Sequence, residues 1–122
     1  MSSKKPLYTV PVPSTDFAGE AIMCGHVLRF DYHRDGTAFR SGIRFNNVLA
    51  MRTRAERCCV SWHIEDAYDT LVEVEGSLWV GEMRADTAER WRNEWQTHHY
   101  LIYLDSAGSF EVIGSSWEVL AE

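Results

Sequence analysis

The histidines and their acidic neighbours are the residues of this chain with the clearest capacity for chemistry. His63 and Glu65 are two positions apart, so on a β-strand they share one face. His98 and His99 are adjacent, so their rings point to opposite faces of a strand and one of them can lie beside His63. Such a group suits a metal site of two histidines and one carboxylate, or a metal-free acid–base pair. The alternative interpretation is that all four are ordinary surface or packing residues.

Motifs that would establish an enzyme are missing from the sequence. There is no HExxH or spaced Cys/His set for a metal, no GxSxG elbow for a serine nucleophile, and no glycine-rich phosphate loop. The adjacent Cys58 and Cys59 lack the CxxC spacing of a redox site. The leading interpretation therefore has no catalytic residue, no metal and no cofactor. A small enzyme of a biosynthetic pathway, built on the three histidines and Glu65, is the alternative.

A β-hairpin is the clearest local element among those that must position these residues. Apolar and polar residues alternate over 27–33, and Asp35-Gly36 is a dipeptide that favours a two-residue turn. Counting outward from the turn matches residues of complementary type: Arg34 with Thr37, Tyr32 with Phe39, Asp31 with Arg40, and Leu28 with Ile43. This agreement predicts the register of the hairpin.

Further strands are indicated by shorter segments. We expect extended chain over 48–53 after a bend at Asn46 and Asn47, and strands over 58–64 and 70–74. A second hairpin is predicted over 99–104 and 110–113, with Gly108 in a left-handed position of its loop. Its first strand is apolar on both faces, which predicts a central place in the sheet.

A broken helix is expected between residue 74 and the second hairpin. Ser77 can cap a first piece, which Gly81 weakens. Asp86 followed by Glu89 is typical of the start of a second piece. Three tryptophans near helical spacing are assigned to the core: Trp79, Trp91 and Trp95.

Together these elements predict an α+β fold, an antiparallel sheet of about six strands with the broken helix packed on one face. Residues 1–19 hold all three prolines and predict an extended N-terminal arm with a short edge strand at 7–12. Residues 20–122 are predicted to form a single α+β domain. Ser115 with Glu118 three residues later predicts a short terminal helix.

Charge is distributed unevenly along the chain. Residues 29–57 hold seven arginines and three acids, whereas residues 58–122 hold thirteen acids and three arginines. With a net charge of −6 and a pI of about 5.3, the chain is not expected to bind nucleic acid.

No apolar run approaches the roughly 20 residues of a membrane span, and no secretory leader is visible, so we expect no membrane partner. Three cysteines, two of them adjacent, favour reduced thiols and a cytoplasmic location.

The acidic half of the chain predicts a docking surface for a basic partner protein. Tyr68 lies among the acids and supplies an aromatic anchor, a residue type favoured in binding hot spots. The residues predicted for this surface are Glu65, Asp66, Tyr68, Asp69, Glu73, Glu75 and Glu82. Two alternatives remain open: a solvated acidic face without a partner, and a homodimer in which the basic hairpin of one copy meets the acidic face of another.

Three segments resemble the sheet and helix segments of small uncharacterised bacterial proteins that are similar to immunity proteins of polymorphic toxin systems. The segments are IRFNNVLAMR (43–52), YDTLVEVEGSLWVGEM (68–83) and HHYLIYLDSAGSFEVIGSSWEVL (98–120). The resemblance implies an α+β cytoplasmic protein that masks a toxin, and an acidic face suits a basic nuclease toxin. It transfers no catalytic residue. The leading hypothesis is therefore a protein-binding module, an immunity-like inhibitor of a basic, toxin-like partner.

Overall fold

Two antiparallel β-sheets packed face to face form the body of the protein. The computed structural model describes residues 3–91 and 96–120. Within these ranges the strands are β1 Ser3–Thr9, β2 Ile22–Cys24, β3 Val27–Arg34, β4 Thr37–Asn46, β5 Ala50–Arg54, β6 Thr70–Glu75, β7 His98–Leu104, β8 Gly108–Gly114 and β9 Ser116–Leu120. The helices are α1 Ser61–Ile64 and α2 Leu78–Asp86, and short 3-10 turns cover Ser14–Asp16, Glu56–Cys58 and Glu89–Trp91.

The strands form a five-stranded sheet of order β1-β6-β7-β8-β5 and a four-stranded sheet of order β2-β3-β4-β9. An α+β fold with antiparallel pairing is confirmed, but the expected single sheet of about six strands is wrong. The chain leaves the four-stranded sheet at Asn47, whose backbone is left-handed with φ of 50°. It then enters the other sheet as β5, which pairs with β8. The bend predicted at Asn46 and Asn47 is therefore the crossing point between sheets.

Both predicted hairpins are present. All four residue pairs expected between β3 and β4 occur, and the rings of Tyr32 and Phe39 stack with centroids 5.4 Å apart. In the second hairpin, β7 is the central strand of its sheet, as its two apolar faces indicated. Gly108 has φ of 101°, and a Cβ built there would lie 1.9 Å from the carbonyl oxygen of Arg54. Glycine is therefore required at this position by both conformation and space.

The N-terminal segment is part of the sheet. Its strand spans Ser3–Thr9, where the sequence indicated 7–12, and it pairs along the whole of β6. The register shifts between Pro6 and Tyr8, because a proline cannot donate to the ladder and is tolerated at an edge. Val10, which follows the strand, is buried in the core. The described part of the segment predicted as an arm thus contributes an edge strand and core packing.

The strand predicted over 58–64 is wrong. The segment forms a 3-10 turn followed by α1, in which His63 is buried while Val60 is exposed. The Nδ1 atom of His63 accepts a hydrogen bond from the backbone N–H of Val60 at 3.0 Å. This bond ties the third helical residue back to the residue that precedes α1, as in a capping box, and favours a helical turn over extended chain.

The terminal helix predicted from Ser115 is also wrong. Ser116–Leu120 forms β9, which pairs with β4 from Gly42 to Asn46. A helix here would leave the backbone groups of β4 unpaired along that edge. The requirement to pair these groups explains why a capping pattern of Ser115 and Glu118 does not produce a helix.

The broken helix is present, with different boundaries. The hydroxyl oxygen of Ser77 accepts a hydrogen bond from the N–H of Val80, which confirms Ser77 as the N-cap of α2. Asp86 is the last residue of α2, so the second capping pattern predicted there is wrong. Trp79 is half-buried, but Trp91 is exposed, which contradicts its assignment to the core. Trp95 lies outside the described residues.

Apolar side chains fill the space between the two sheets, against the inner face of the five-stranded sheet. This main cluster includes Leu28, Phe30, Ile43, Phe45, Leu71, Tyr100, Ile102, Leu104, Phe110 and Val112. A smaller apolar cluster lies on the opposite, outer face of this sheet. Its buried members are Ala67, Val72, Val74, Leu101 and Tyr103, and three residues in or next to α1 pack against them: Cys59, Trp62 and Ile64. In the described ranges there is no helix with the length and apolar character that a bilayer crossing requires.

Candidate functional site

Three charged or polar residues lie side by side on the outer face of the five-stranded sheet. Arg52 on β5 is directly opposite Glu111 on β8, and Glu111 is diagonal to His99 on β7, whose direct partner is Ile113. Because side chains alternate along a strand, all three project from the face opposite to Tyr100 and Val112. The order β7-β8-β5 therefore brings together residues that are up to 59 positions apart in sequence.

Glu111 is the centre of this group, with only 1% of its surface exposed. The Nε and Nη2 atoms of Arg52 donate hydrogen bonds to its two carboxylate oxygens at 3.0 and 3.1 Å. The Nε2 atom of His99 lies 2.8 Å from Oε1 of the same carboxylate. Burial by itself raises the pKa of Glu111, but the hydrogen bonds from His99 and Arg52 and their charges outweigh it and lower the pKa to about 2. Glu111 is therefore ionised at neutral pH.

The hydrogen bonds of His99 continue from Glu111 to Ser77. An ionised carboxylate only accepts hydrogen bonds, so Nε2 of His99 carries a proton and donates it to Glu111. The Ser77 hydroxyl lies 2.7 Å from Nδ1 of His99, and whenever the ring carries only its Nε2 proton, Nδ1 is the acceptor and the hydroxyl the donor. We call the resulting series, Ser77 to His99 to Glu111 to Arg52, the buried polar chain. It links the N-cap of α2 to the far edge strand of the sheet.

Two tryptophans pack against the buried polar chain. The guanidinium of Arg52 lies 3.9 Å from the centroid of the Trp79 ring, within the range of a cation–π contact. The rings of His99 and Trp79 meet edge to face with centroids 5.1 Å apart, and the centroid of the Trp62 ring lies 6.3 Å from that of His99. His99 is 2% exposed, so its ring has little freedom to turn.

A cavity of about 340 Å³ opens beside the buried polar chain. Its lining residues are Arg52, Trp62, Val74, Gly76, Ser77, Leu78, Trp79, Glu82 and His99. Its volume lies at the small end of the range typical of small-molecule sites. Leu78, at its rim, is 84% exposed, and Glu82 is exposed as well. The cavity thus combines aromatic walls with one hydroxyl, one imidazole, one guanidinium and, from Glu82, one carboxylate.

The four residues predicted as an alternative catalytic group are not assembled as expected. His98 projects from the inner face and its Nδ1 lies 2.7 Å from Oε2 of Glu73. His63 is on the outer face, but its Nδ1 accepts the N–H of Val60, and burial lowers its pKa. Glu65 is exposed after α1. The histidine–glutamate pair on the outer face is His99 with Glu111, and no cluster of three potential metal ligands occurs among residues 3–91 and 96–120.

Glu111 was missed because its neighbours in the sequence, Phe110, Val112 and Ile113, are apolar and pointed only to a strand. The available signal was a single acid inside an otherwise apolar strand pattern over 110–113; the structure shows that this strand is buried along its whole length. Such an acid must find a cation or hydrogen-bond donors. The partner on β5 is not encoded nearby, so the pair could not be assigned from the sequence.

The residues predicted for an acidic docking surface fall into three environments. Glu65, Asp66 and Tyr68 are exposed in and after the turn that follows α1, and Glu82 is exposed on α2. Asp69 is 8% exposed and accepts a hydrogen bond from the backbone N–H of Ser14 at 3.1 Å, so its place on the surface is wrong. The remaining two acids lie on β6.

Glu73 and Glu75 project from the inner side of β6, in the second half of that strand. Strand alternation sets them opposite to Val72 and Val74, which pack on the outer face. Glu73 is half-buried against His98, and Glu75 lies 3.4 Å from the hydroxyl of Ser3. The seven predicted residues therefore do not form one continuous patch. Glu65, Asp66 and Glu82, on the outer side, are here called the outer acids.

Two cations on this outer side, Arg52 and Lys4, have partners of their own. Arg52 is paired with Glu111, and the ammonium of Lys4 donates to the backbone carbonyls of Trp62 and Glu65. The pKa of Lys4 is lowered by partial burial, against the opposing effect of the charges of Asp66 and Glu65. Within the described ranges the outer acids form no ion pair closer than 4.0 Å, so their charge is directed to solvent.

No family model, curated protein or solved structure matches this chain.

Proposed function

We propose that this chain is a protein-binding module, an immunity-like inhibitor that masks a basic, toxin-like partner in the cytoplasm. The observation that carries the proposal is the exposure of large apolar side chains on the side of the molecule that holds the outer acids. Leu78 is 84% exposed, Val60 58% and Tyr68 42%. Exposed apolar groups bordered by charge are typical of protein interaction sites.

The apolar residues would supply the contact area and the outer acids the attraction. Leu78 and the partly buried rings of Trp62 and Trp79 border the same cavity, which can accept an anchoring side chain from the partner. Glu82 lies at the rim of that cavity, and Glu65 and Asp66 lie beyond α1. Exposed carboxylates around an apolar centre favour a partner with Lys or Arg around its own apolar centre, and they accelerate encounter.

The proposed docking surface is smaller than the one predicted from the sequence. Asp69 supports the turn at Ser14 and is not offered to a partner. Glu73 and Glu75 lie on the opposite side of the five-stranded sheet, so one flat partner surface would not reach them together with the outer acids. Tyr68 remains the aromatic residue of the surface, packed beside Tyr103 with ring centroids 5.6 Å apart.

Co-expression tests this proposal. The probe is the protein encoded by the gene next to that of this chain, expressed in a bacterial host with and without the chain. We expect the neighbouring protein to arrest growth, the chain to restore it, and the two purified proteins to bind each other. A neighbouring protein that is harmless, or that stays toxic and unbound in the presence of the chain, contradicts the proposal.

Matched charge variants locate the surface. The test variant is Glu65→Gln, Asp66→Asn and Glu82→Gln; asparagine at 66 tolerates the left-handed backbone, whose φ is 64°. The control variant removes three exposed acids elsewhere, Asp16→Asn, Glu20→Gln and Glu75→Gln. We expect association at low salt to slow about tenfold in the test variant and to change little in the control. Equal effects in both variants would show that net charge, and not this surface, governs binding.

The homodimer stays a separate prediction. It requires the arginine-rich hairpin of one copy to contact the acids of another, so association must weaken as salt increases. Light scattering at two salt concentrations measures this directly, and a monomer at both concentrations excludes it.

A further inference from the structure

The buried polar chain has the composition of a nucleophile, a base and an acid, and it lies in the wall of a cavity. We propose that Ser77, His99 and Glu111 form an acyl-transfer site in which Ser77 attacks an uncharged carboxylic ester bound in the cavity beside α2. This inference goes beyond the proposed binding function: it concerns the same cavity, but it depends on the hydrogen bonds of Ser77, His99 and Glu111 and not on the outer acids.

The distances are those that nucleophilic catalysis requires. The Ser77 hydroxyl is 2.7 Å from Nδ1 of His99, and Nε2 of His99 is 2.8 Å from Glu111. Both lie within the roughly 2.6–3.2 Å over which a serine, its base and an orienting acid act together. The serine faces Nδ1 and the acid faces Nε2. Because either nitrogen of a neutral imidazole can be the acceptor while the other donates, Nδ1 can act as the base while Nε2 donates to the acid.

The environment prepares His99 to take a proton from Ser77. Glu111 is ionised, holds the proton of His99 on Nε2, and stabilises the positive charge that develops on the ring. Arg52 binds both oxygens of Glu111 and keeps the carboxylate oriented towards His99. Burial of His99 and Glu111 keeps bulk water from competing for the hydrogen bond between them. Such a prearranged set requires little reorganisation when the reaction begins.

The helix that Ser77 caps supplies groups for the oxyanion. The N–H of Val80 binds the Ser77 hydroxyl oxygen, and the first helical carbonyl bond is donated by Gly81. The N–H groups of Leu78 and Trp79 precede that bond, so α2 itself offers them no acceptor. They lie at the positive end of the helix, next to the nucleophile, where negative charge appears on the carbonyl oxygen in the transition state.

The lining of the cavity indicates the class of substrate. Trp62, Trp79 and Leu78 offer apolar walls for an aliphatic or aromatic acyl group. The charge of Arg52 is balanced by Glu111, and Glu82 at the rim repels anions. An uncharged ester therefore fits better than a phosphate or a carboxylate. The volume of about 340 Å³ limits the substrate to a small molecule.

The reaction balances with water as the only co-reactant. The Ser77 oxygen forms a bond to the ester carbonyl carbon as its proton moves to Nδ1 of His99. The carbon–oxygen bond to the alcohol then breaks, and the alcohol leaves with that proton. A water molecule attacks the acyl-serine, gives its proton to His99, and releases the carboxylic acid as Ser77 regains its hydrogen.

The competing interpretation is that Ser77 is only the N-cap of α2 and His99 only its buried partner. Ser77→Asn separates the two, because asparagine keeps a capping oxygen but has no nucleophile. The test uses the full chain with a fluorophosphonate probe followed by mass spectrometry, and with p-nitrophenyl butyrate in stopped flow. Ser61→Ala, at an exposed serine that begins the other helix, is the control for unspecific labelling.

We expect one probe molecule per chain, attached to Ser77, and a burst of nitrophenol that approaches one equivalent. Ser77→Asn should lose both signals, and Ser61→Ala should lose neither. His99→Gln should slow labelling by about 100-fold or more, the effect typical of losing a general base. Absence of label on Ser77 in the folded chain, or equal label in Ser77→Asn, overturns the proposal. Denaturation curves for each variant separate loss of chemistry from loss of fold.

Discussion

The two faces of the five-stranded sheet use the same strands for different purposes. On the central strand β7, Tyr100, Ile102 and Leu104 enter the apolar cluster between the sheets, whereas His99 on the other face is bound to Ser77 and Glu111. The inner face is covered by a complete second sheet. In the described part of the chain, the outer face is covered by two short helical pieces, which leave a cavity and an 84% exposed Leu78. The inner face therefore mainly stabilises the fold, and the outer face holds the candidate sites.

The largest expected effect tests the inner face. Ile102→Ala removes a fully buried side chain from the main cluster and should lower the free energy of unfolding by about 2–5 kcal/mol. Leu78→Ala, on the outer face, should change it by less than about 0.5 kcal/mol because the leucine is almost fully solvated. Urea denaturation of both variants measures the contrast. Equal losses would contradict the assignment of stability to the inner face.

The next largest effect concerns the polar centre of the outer face. Glu111→Gln leaves His99 and Arg52 without their anion and should cost about 2–3 kcal/mol, less than a fully buried pair because Arg52 is half-exposed. Glu118→Gln is the matched control, since it breaks an exposed pair with Arg44 at 3.5 Å and should cost less than about 1 kcal/mol. If the two variants are equally stable, the buried polar chain contributes little to the fold.

Acid should lower the free energy of unfolding through Glu111 on the outer face. The pKa of Glu111 is lowered to about 2 in the folded chain, below its ordinary value of 4.5. Its contribution is therefore fully present above the unfolded value and is lost as pH falls towards the folded one, about 2 kcal/mol between pH 6 and pH 3. Urea unfolding at both pH values measures the loss. Glu111→Gln should show a correspondingly smaller loss, and an unchanged loss in that variant would contradict the assignment.

The smallest effect concerns the helix that borders the cavity. Ser77→Ala removes the N-cap of α2 and the donor to His99, and should lower stability by about 1 kcal/mol. Ser77→Asn should recover most of that loss by restoring the capping oxygen. Thermal unfolding of the pair, followed by circular dichroism, measures the difference. A loss as large in Ser77→Asn as in Ser77→Ala would indicate that the bond to His99, and not the cap, carries the stability.

Local elements were predictable where the signal lies within a few residues. Asp35-Gly36 and the alternation on either side indicated the correct hairpin with its correct register, and Ser77 was correctly identified as a cap. The errors occurred where a specific contact, with a distant strand or within a single turn, overrides the local pattern. Residues 116–120 form a strand because β4 has an open edge, and α1 replaces a strand because the His63 ring bonds back to Val60. Propensity is a weak preference that such contacts override.

The candidate sites were predictable only in part. His99 was singled out by residue type, and the exposed positions of Glu65, Asp66, Tyr68 and Glu82 agree with a surface role. The partners of His99 were not predictable, because Glu111 lies in an apolar segment and Ser77 showed only a capping pattern. Asp69 was misjudged because its acceptor role depends on Ser14, a residue 55 positions away.

The sequence by itself determined the α+β class, the antiparallel hairpins and the uneven distribution of charge, because periodicity, turn dipeptides and composition act over short distances. Only the tertiary structure decided which strands belong to which sheet, which acids are buried, and that Ser77, His99, Glu111 and Arg52 meet beside a cavity. These outcomes depend on pairing between strands far apart in the chain, and no local pattern encodes such a pairing.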